Sequence, residues 1–132
     1  RGYAFLLEGI ARSRMSSGKP LCLLAGGELT VTVRGKGKGG RNTEFALAAL
    51  NELEEKPSFL VASLGTDGVD GATDAAGAMV TPAIVARARR LGLDPKKYLL
   101  NNDSYNFFKK AGGLIITGPT RTNVMDLRLF LV

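Results

Sequence analysis

Glycine-rich segments divide this chain into short apolar stretches, and that spacing restricts the folds open to it. The 132 residues include 17 glycines, and 45% of all residues are hydrophobic. Apolar runs of this length suit the strands and short helices of one compact domain, and they are far too short to cross a bilayer. We therefore predict a single domain over residues 1–132, of the α/β class, with three α/β/α layers and a mixed sheet.

The order of the predicted elements follows from apolar periodicity and from turn residues. Helical spacing predicts a helix over residues 1–17, and the run 20–25 and the alternating segment 28–34 predict two strands joined as a hairpin. The remaining predicted helices and strands are helices at 43–53, 82–91 and 105–111 and strands at 59–64, 114–117 and 126–132. Cys22 lies in the first apolar run, so we expect its side chain to be buried.

The first residue is arginine and not methionine. The segment 1–18 has the pattern of a helix that leads in from sequence upstream. We therefore expect the chain to be a fragment of a longer protein. No signal peptide is indicated, because Glu8 interrupts the apolar stretch at the start. Together with the single cysteine, this favours a reducing compartment, and we expect the cytoplasm and no membrane partner.

The positive charge is concentrated in the first third of the chain. Net charge is +6, and the first 41 residues hold eight Lys and Arg side chains against Glu8 and Glu28, while the rest is balanced. Four of those eight cations lie between Arg34 and Arg41, which indicates a focused site for an anion. Nucleic acid is the rival partner, but the chain has no tryptophan and no interleaving of aromatic and basic residues, so we expect none.

The loop 35–42 is the first candidate site. It carries Lys36, Lys38, Gly39, Gly40 and Arg41 and leads into a helix near Asn42. Glycines let a backbone approach a ligand, and a helix start presents free N–H groups and a partial positive charge. This favours a phosphate or carboxylate. The spacing nearly matches a dinucleotide fingerprint and a P-loop, but the preceding alternating strand and the residues Arg41 and Asn42 fit neither. The alternative is a flexible, solvated hairpin tip.

The loop 65–74 is the second candidate site. Asp67, Asp70 and Asp74 fall within eight residues after a predicted buried strand. They are candidate ligands for Mg²⁺, which takes one or two carboxylates together with water and ligand phosphates. One of them could instead act as a general base on a substrate hydroxyl. The alternative is that each aspartate forms an Asx-turn or caps the following segment.

Five motifs together resemble the C-terminal domain of the glycerate 2-kinase family, called MOFRL. They are Gly26-Gly27-Glu28-x-Thr30-Val31, Arg34-Gly35-Lys36-Gly37-x-Gly39-Gly40-Arg41-Asn42-x-Glu44-Phe45, Gly65-Thr66-Asp67-Gly68-x-Asp70-Gly71, Asn102-Asp103-Ser104-Tyr105 and Thr117-Gly118-Pro119-Thr120-x-Thr122-Asn123-x-x-Asp126-Leu127-Arg128. They occur in order over nearly the whole chain.

The resemblance implies a kinase of serine and glyoxylate metabolism that transfers the γ-phosphoryl group of ATP to D-glycerate with Mg²⁺. It implies a cleft between this domain and a larger N-terminal domain, so these residues alone are expected to be inactive. Carried onto this sequence, it makes Arg41, Asp67 and Asp70 the catalytic candidates. The neighbours it implies are Lys36, Lys38, Asn42, Glu44 and Thr66. A homodimer is left open.

Three alternatives remain at this point. Some members of the family carry the name hydroxypyruvate reductase, which would require a nicotinamide cofactor and hydride transfer. The basic first third could belong to a nucleic-acid-binding module, whose affinity would fall steeply with salt. The chain could also be a non-catalytic lid over a site made elsewhere.

Overall fold

The computed structural model describes residues 20–53 and 58–132, so the helix predicted over residues 1–17 lies outside the described residues. The described elements, in chain order, are β1 (Cys22–Gly27), α1 (Arg41–Leu53), β2 (Leu60–Gly65), β3 (Gly77–Val80), α2 (Pro82–Arg90), α3 (Pro95–Leu100), α4 (Ser104–Ala111), β4 (Leu114–Ile115) and β5 (Asp126–Leu131). The α/β class is confirmed. None of the described helices has the length and hydrophobicity needed to span a bilayer.

The strands form one sheet in the order β1-β5-β2-β3-β4. Every pairing in it is antiparallel, so the sheet differs from the mixed sheet that was predicted. Strand β5 lies between β1 and β2, and Asp126 at its start is opposite Gly27 on one side and Gly65 on the other. The ends of β1 and β2 and the start of β5 therefore meet at one edge of the sheet.

The predicted hairpin between residues 20–25 and 28–34 is wrong. Strand β1 pairs with β5 instead, and residues 28–34 belong to no strand of the described sheet. The alternating segment finds a different partner, because the Asn102 side chain accepts from Arg34 N–H and donates to the Thr32 carbonyl. Alternation alone predicts an extended segment, and it does not reveal which part of the chain satisfies the backbone of that segment.

Cys22 is exposed, which corrects the prediction that it is buried. It lies on the edge strand β1, where only one side of the backbone is paired. Its neighbour Leu23 packs against the core, while Leu24 is 69% exposed. The apolar run therefore describes a strand with one covered face, and not a strand that is buried on both faces.

The described helices pack on one face of the sheet and enclose a single core. Side chains from strands and helices meet there, including Val61 and Phe130 of the sheet and Leu50, Phe107 and Phe108 of the helices. A three-layer arrangement would also need helices on the opposite face. In the two described ranges that face presents partly exposed side chains such as Leu24, Leu127 and Leu131.

Candidate functional site

The glycine-rich loop lies against the segment that leads into α4. The N–H groups of Arg34 and Gly35 both donate to Asn102 Oδ1, at 2.7 and 2.8 Å. Further along, Gly37 N–H donates to the carbonyl of Asn101 at 2.8 Å. The N–H groups of Lys36 and Lys38 donate to the side chains of Asn101 and Asp103, respectively. The backbone donors of this loop are therefore largely satisfied by the protein itself.

The glycines of this loop are needed for close packing against that segment. A Cβ added at Gly37 would lie 2.4 Å from Asp103 Cβ, and one at Gly39 would lie 2.3 Å from Ser104 Oγ. Contacts that short do not occur between real atoms, so a side chain at either position would push the loop away. The glycines thus bring the loop to another part of the chain, where we had expected them to bring it to a ligand.

This packing corrects two interpretations of the loop. It is not a flexible hairpin tip, because it is bonded and packed along its length. Nor does its backbone form an anion cradle of the dinucleotide or P-loop kind, since most of its N–H groups already have acceptors. The positive charge is left to side chains: Lys36 is exposed, and Lys38 Nζ lies 4.4 Å from the centre of the Tyr105 ring.

Asp70 caps the start of α1 from the second loop. Its carboxylate accepts from Asn42 N–H at 2.9 Å, Thr43 N–H at 2.8 Å and the Thr43 hydroxyl at 2.9 Å. The residue is fully buried. A carboxylate at this place satisfies helix N–H groups that have no partner within the helix, and it interacts favourably with the helix dipole. The structure therefore gives Asp70 a structural contact that engages both oxygens of its carboxylate.

Thr43 extends this cap into a buried network. Its hydroxyl accepts from Gly40 N–H at 3.0 Å and shares a 2.9 Å hydrogen bond with Ser104 Oγ. The start of α1, the second loop and the start of α4 are thereby joined through one side chain. The hydroxyl of Thr43 has one proton, and Asp70 accepts it.

Thr66 and Asp67 connect the second loop to the turn that precedes β5. The Thr66 hydroxyl donates to the Met125 carbonyl at 2.7 Å and accepts from Val124 N–H at 2.8 Å. Asp67 Oδ1 accepts from Val69 N–H at 3.1 Å, which is an Asx-turn. Asp67 is only half-buried, so its carboxylate remains accessible to a ligand.

Asp74 lies at the far end of the second loop and is exposed. A hydrogen bond from the Tyr105 hydroxyl lowers the pKa of Asp74, and the same bond raises the pKa of Tyr105. Lys38 and Lys109 add a smaller Coulomb contribution that also lowers the Asp74 pKa. Asp74 therefore interacts with Tyr105, in the first turn of α4.

The predicted metal site of Asp67, Asp70 and Asp74 does not form as a cluster. In residues 20–53 and 58–132, no group of three or more acidic, histidine or cysteine side chains could hold an ion. The physical reason is that the three carboxylates serve different partners: a turn, a helix start and a tyrosine. Their closeness in sequence indicated a shared ligand that the fold does not provide.

Arg41 is held by Asp126 at the edge of the sheet. Arg41 Nε lies 2.7 Å from Asp126 Oδ2, and Arg41 Nη2 lies 2.9 Å from Asp126 Oδ1. This two-point contact fixes the plane of the guanidinium as well as its position. The hydrogen bond with Asp126 raises the pKa of Arg41 against the opposing effect of burial.

Two further side chains donate to the Asp126 carboxylate. Asn42 Nδ2 donates to it at 3.0 Å and Arg128 Nη2 donates at 3.2 Å. Ser63 in turn donates to Asn42 Oδ1 at 2.6 Å. Asn42 was predicted to bind substrate, but it is fully buried and its amide joins α1 to the sheet.

Two surface depressions border Arg41, which is 24% exposed. One has a volume of about 340 Å³ and extends along Arg34, Phe45 and Leu100. The other, of about 310 Å³, is lined by the glycines of both loops and by Glu28. The residues that border both depressions are Leu29, Val31, Arg41, Glu44 and Asn102. Glu44 Oε1 accepts from Asn102 Nδ2 at 2.5 Å.

The structure thus brings part of the predicted site together. Gly39, Gly40, Arg41 and Glu44 line one depression. As far as the chain is described, neither depression is lined by any of five other predicted site residues: Lys36, Lys38, Thr66, Asp67 and Asp74. Sequence reasoning missed Asp126, Arg128 and Glu28, although the motifs that carried the resemblance contain all three.

Known proteins of similar sequence include a kinase and a protein that carries another name. The chain is 52% identical to a D-glycerate 2-kinase of Thermotoga maritima over 86% of this chain and 27% of that protein. It is 43% identical to a protein of Agrobacterium vitis that carries the name hydroxypyruvate reductase as a provisional assignment, over 96% of this chain and 30% of that protein. The chain spans about a third or less of the length of these relatives.

A solved structure matches the fold as a whole. It is the crystal structure of a Thermotoga maritima glycerate kinase, with a TM-score of 0.90 and 45% sequence identity over 98% of this chain and 32% of that one. The class defined by the fold is that of an α/β domain found within a glycerate kinase. Residues 21–126 match the MOFRL family, and the chain belongs to that family.

Replacing Asp70 tests its assignment as a helix cap. We expect Asp70→Asn to lower the free energy of unfolding by about 2–4 kcal/mol, because charge-assisted hydrogen bonds to buried N–H groups are lost. Urea unfolding of this chain, followed by circular dichroism, measures the change. Asp67→Asn is the matched control, with an expected change within about 1 kcal/mol because only the Val69 N–H is involved. Unaltered stability of Asp70→Asn would return that carboxylate to the list of ligand candidates.

Replacing Gly37 tests whether the glycine loop is clamped. We expect Gly37→Ala to destabilise the chain by about 1–3 kcal/mol and to speed amide hydrogen exchange at Lys38, because the added Cβ meets Asn101 and Asp103. In Gly26→Ala, the control, the new Cβ would lie 3.9 Å from the Asp126 carbonyl oxygen, an ordinary contact, and the change should stay within about 0.5 kcal/mol. Equal stability and exchange in the two variants would mean that the loop does not depend on this packing.

Proposed function

We propose that this chain is the C-terminal part of a glycerate kinase, which transfers the γ-phosphoryl group of ATP to D-glycerate. The observation that carries the proposal is a partly exposed arginine, Arg41, held at two points by a buried carboxylate between two depressions. The names of the relatives and the fold of the Thermotoga maritima glycerate kinase support it. We place the remainder of the cleft in sequence outside this chain, since the relatives are about three times longer.

The chemistry of this reaction suits a fixed cation. Phosphoryl transfer spreads negative charge over the moving group, and catalysis consists mostly of positioning and charge stabilisation. A guanidinium held in one plane offers paired N–H donors to a carboxylate or to phosphate oxygens. In the proposed role Arg41 binds the glycerate carboxylate or the transferring phosphoryl group. Because its orientation is set before substrate arrives, the cost of ordering it during the reaction is small.

The residues that the structure describes do not by themselves fit a Mg²⁺ site. Asp70 is occupied by the start of α1 and Asp74 by Tyr105. Asp67 remains as one accessible carboxylate, and Mg²⁺ commonly uses one or two carboxylates together with substrate phosphates. Mg²⁺, ATP and a cytoplasmic location are therefore parts of the proposal that depend on the whole protein.

Replacing Arg41 tests the proposal. In the longer protein that contains this chain, we expect Arg41→Ala to lower kcat/KM for D-glycerate by at least about a hundredfold, as when one preorganised electrostatic donor is removed. The measurement is ADP release with D-glycerate and ATP. Arg90→Ala is the matched control, because Arg90 is an exposed arginine in the last turn of α2, and its rate should be that of the wild type.

The same assay separates the kinase from the reductase alternative. Consumption of a reduced nicotinamide with hydroxypyruvate, without ADP release from ATP and glycerate, would contradict the proposal. The clamped glycine loop speaks against that alternative, since its N–H groups are not available to a dinucleotide pyrophosphate. Wild-type kinase activity in Arg41→Ala would be consistent with a kinase and would contradict the role proposed for Arg41.

A further inference from the structure

Asp126 has more partners than a structural ion pair needs. Its side chain is fully buried, Oδ2 receives Arg41 Nε and Arg128 Nη2, and Oδ1 receives Arg41 Nη2 and Asn42 Nδ2. Burying a carboxylate is costly, and a single well-placed arginine together with ordinary donors would offset that cost. Here one carboxylate accepts from two arginines, so a second positive charge remains beyond the one that Asp126 balances.

The fold places that remaining charge at the surface. Arg128 is 2% exposed and its guanidinium is also held by the Gly27 carbonyl and by the face of the Phe45 ring. Arg41 is 24% exposed and borders both depressions. Arg128 and Asp126 thus form an inner pair, and Arg41 is the outer member that faces the depressions.

The two carboxylates that contact Arg41 differ in how firmly they are held. Asp126 is buried and makes short bonds, whereas Glu28 is 59% exposed and its Oε1 lies 3.7 Å from Arg41 Nη2. An exposed ion pair of that length contributes little, so an incoming anion can replace Glu28. Asp126 remains in place during such an exchange, and it keeps the guanidinium in its plane.

We propose that Asp126 is the positioning residue of the anion site: it acts on substrate through Arg41 alone, and Glu28 marks the place that the substrate anion takes. This inference rests on the proposed function, and it adds a residue that touches neither substrate nor reacting atoms. Misplacing a binding group by about 1 Å is enough to lower a rate about a hundredfold. Replacing Asp126 should therefore lower kcat/KM nearly as much as replacing Arg41 itself.

A double-mutant cycle on kcat/KM for D-glycerate in the longer protein tests this. We expect Asp126→Asn and Arg41→Ala each to lose about a hundredfold, and the double variant to lose no more than about threefold beyond Arg41→Ala, because residues that act as a unit are not additive. Losses that multiply would overturn the proposal, as would near wild-type kcat/KM in Asp126→Asn. Phe107→Leu, a core change remote from Arg41, shows what lost stability alone does to kcat/KM. If Asp126→Asn does not fold, Asp126→Glu replaces it, since it keeps the charge and displaces the carboxylate.

An NMR measurement separates this inference from the proposed function. The Arg41 Nε–H proton is donated to a buried acceptor, so its signal should exchange slowly with water in the wild type, and Arg41→Lys identifies it by its absence. We expect the Asp126 variant to lose the slow exchange. If the wild type shows no glycerate kinase activity, the proposed function fails. The exchange rate of the Arg41 Nε–H proton still tests whether Asp126 positions Arg41. A slowly exchanging Arg41 signal in the Asp126 variant would overturn it.

Discussion

The start of helix α1 is held by two buried carboxylates, and most of the candidate site depends on that arrangement. Asp70 accepts from the backbone of Asn42 and Thr43, and Asp126 accepts from the side chains of Arg41 and Asn42. Both carboxylates are fully buried, so neither can be left without donors except at a large cost in free energy. The helix therefore has one allowed position relative to the second loop and to the sheet, and Arg41 inherits that position.

The sequence identified the parts of this arrangement better than it identified their connections. Arg41 stood out because four cations and a helix start fall within a few residues, and both features are local. Asp126 lies 85 residues further along the chain, and nothing near it indicates an arginine partner. Asp70 was predicted to be a ligand because its local sequence, Asp-Gly, is the same as that of the more exposed Asp67. Only the fold shows that the backbone of α1 lies against Asp70.

The elements show the same division between local and distant information. The periodicity of α1, α2, α4 and β5 was sufficient to predict them, since each carries its own apolar pattern. The pairing of β1 was predicted wrongly, because the segment next in sequence alternates like a strand and a turn lies between them. The Asn102 side chain instead accepts from the N–H groups of Arg34 and Gly35 and donates to the Thr32 carbonyl. A hydrogen bond to an amide side chain 68 residues away leaves no pattern in the sequence.

The place of β5 in the sheet has a consequence for the order in which the molecule forms. It is the last of the described strands in sequence, yet it lies between β1 and β2 and supplies the pairing of both. During synthesis β1, α1 and β2 leave the ribosome well before Asp126 does, so for that interval β1 has no partner strand and Arg41 has no buried acceptor. Closure of a loop of this length is slow compared with pairing between neighbours. Until Asp126–Leu131 has been synthesised, β1 is therefore an apolar strand without its partner, and unpaired strand edges of this kind are prone to aggregation.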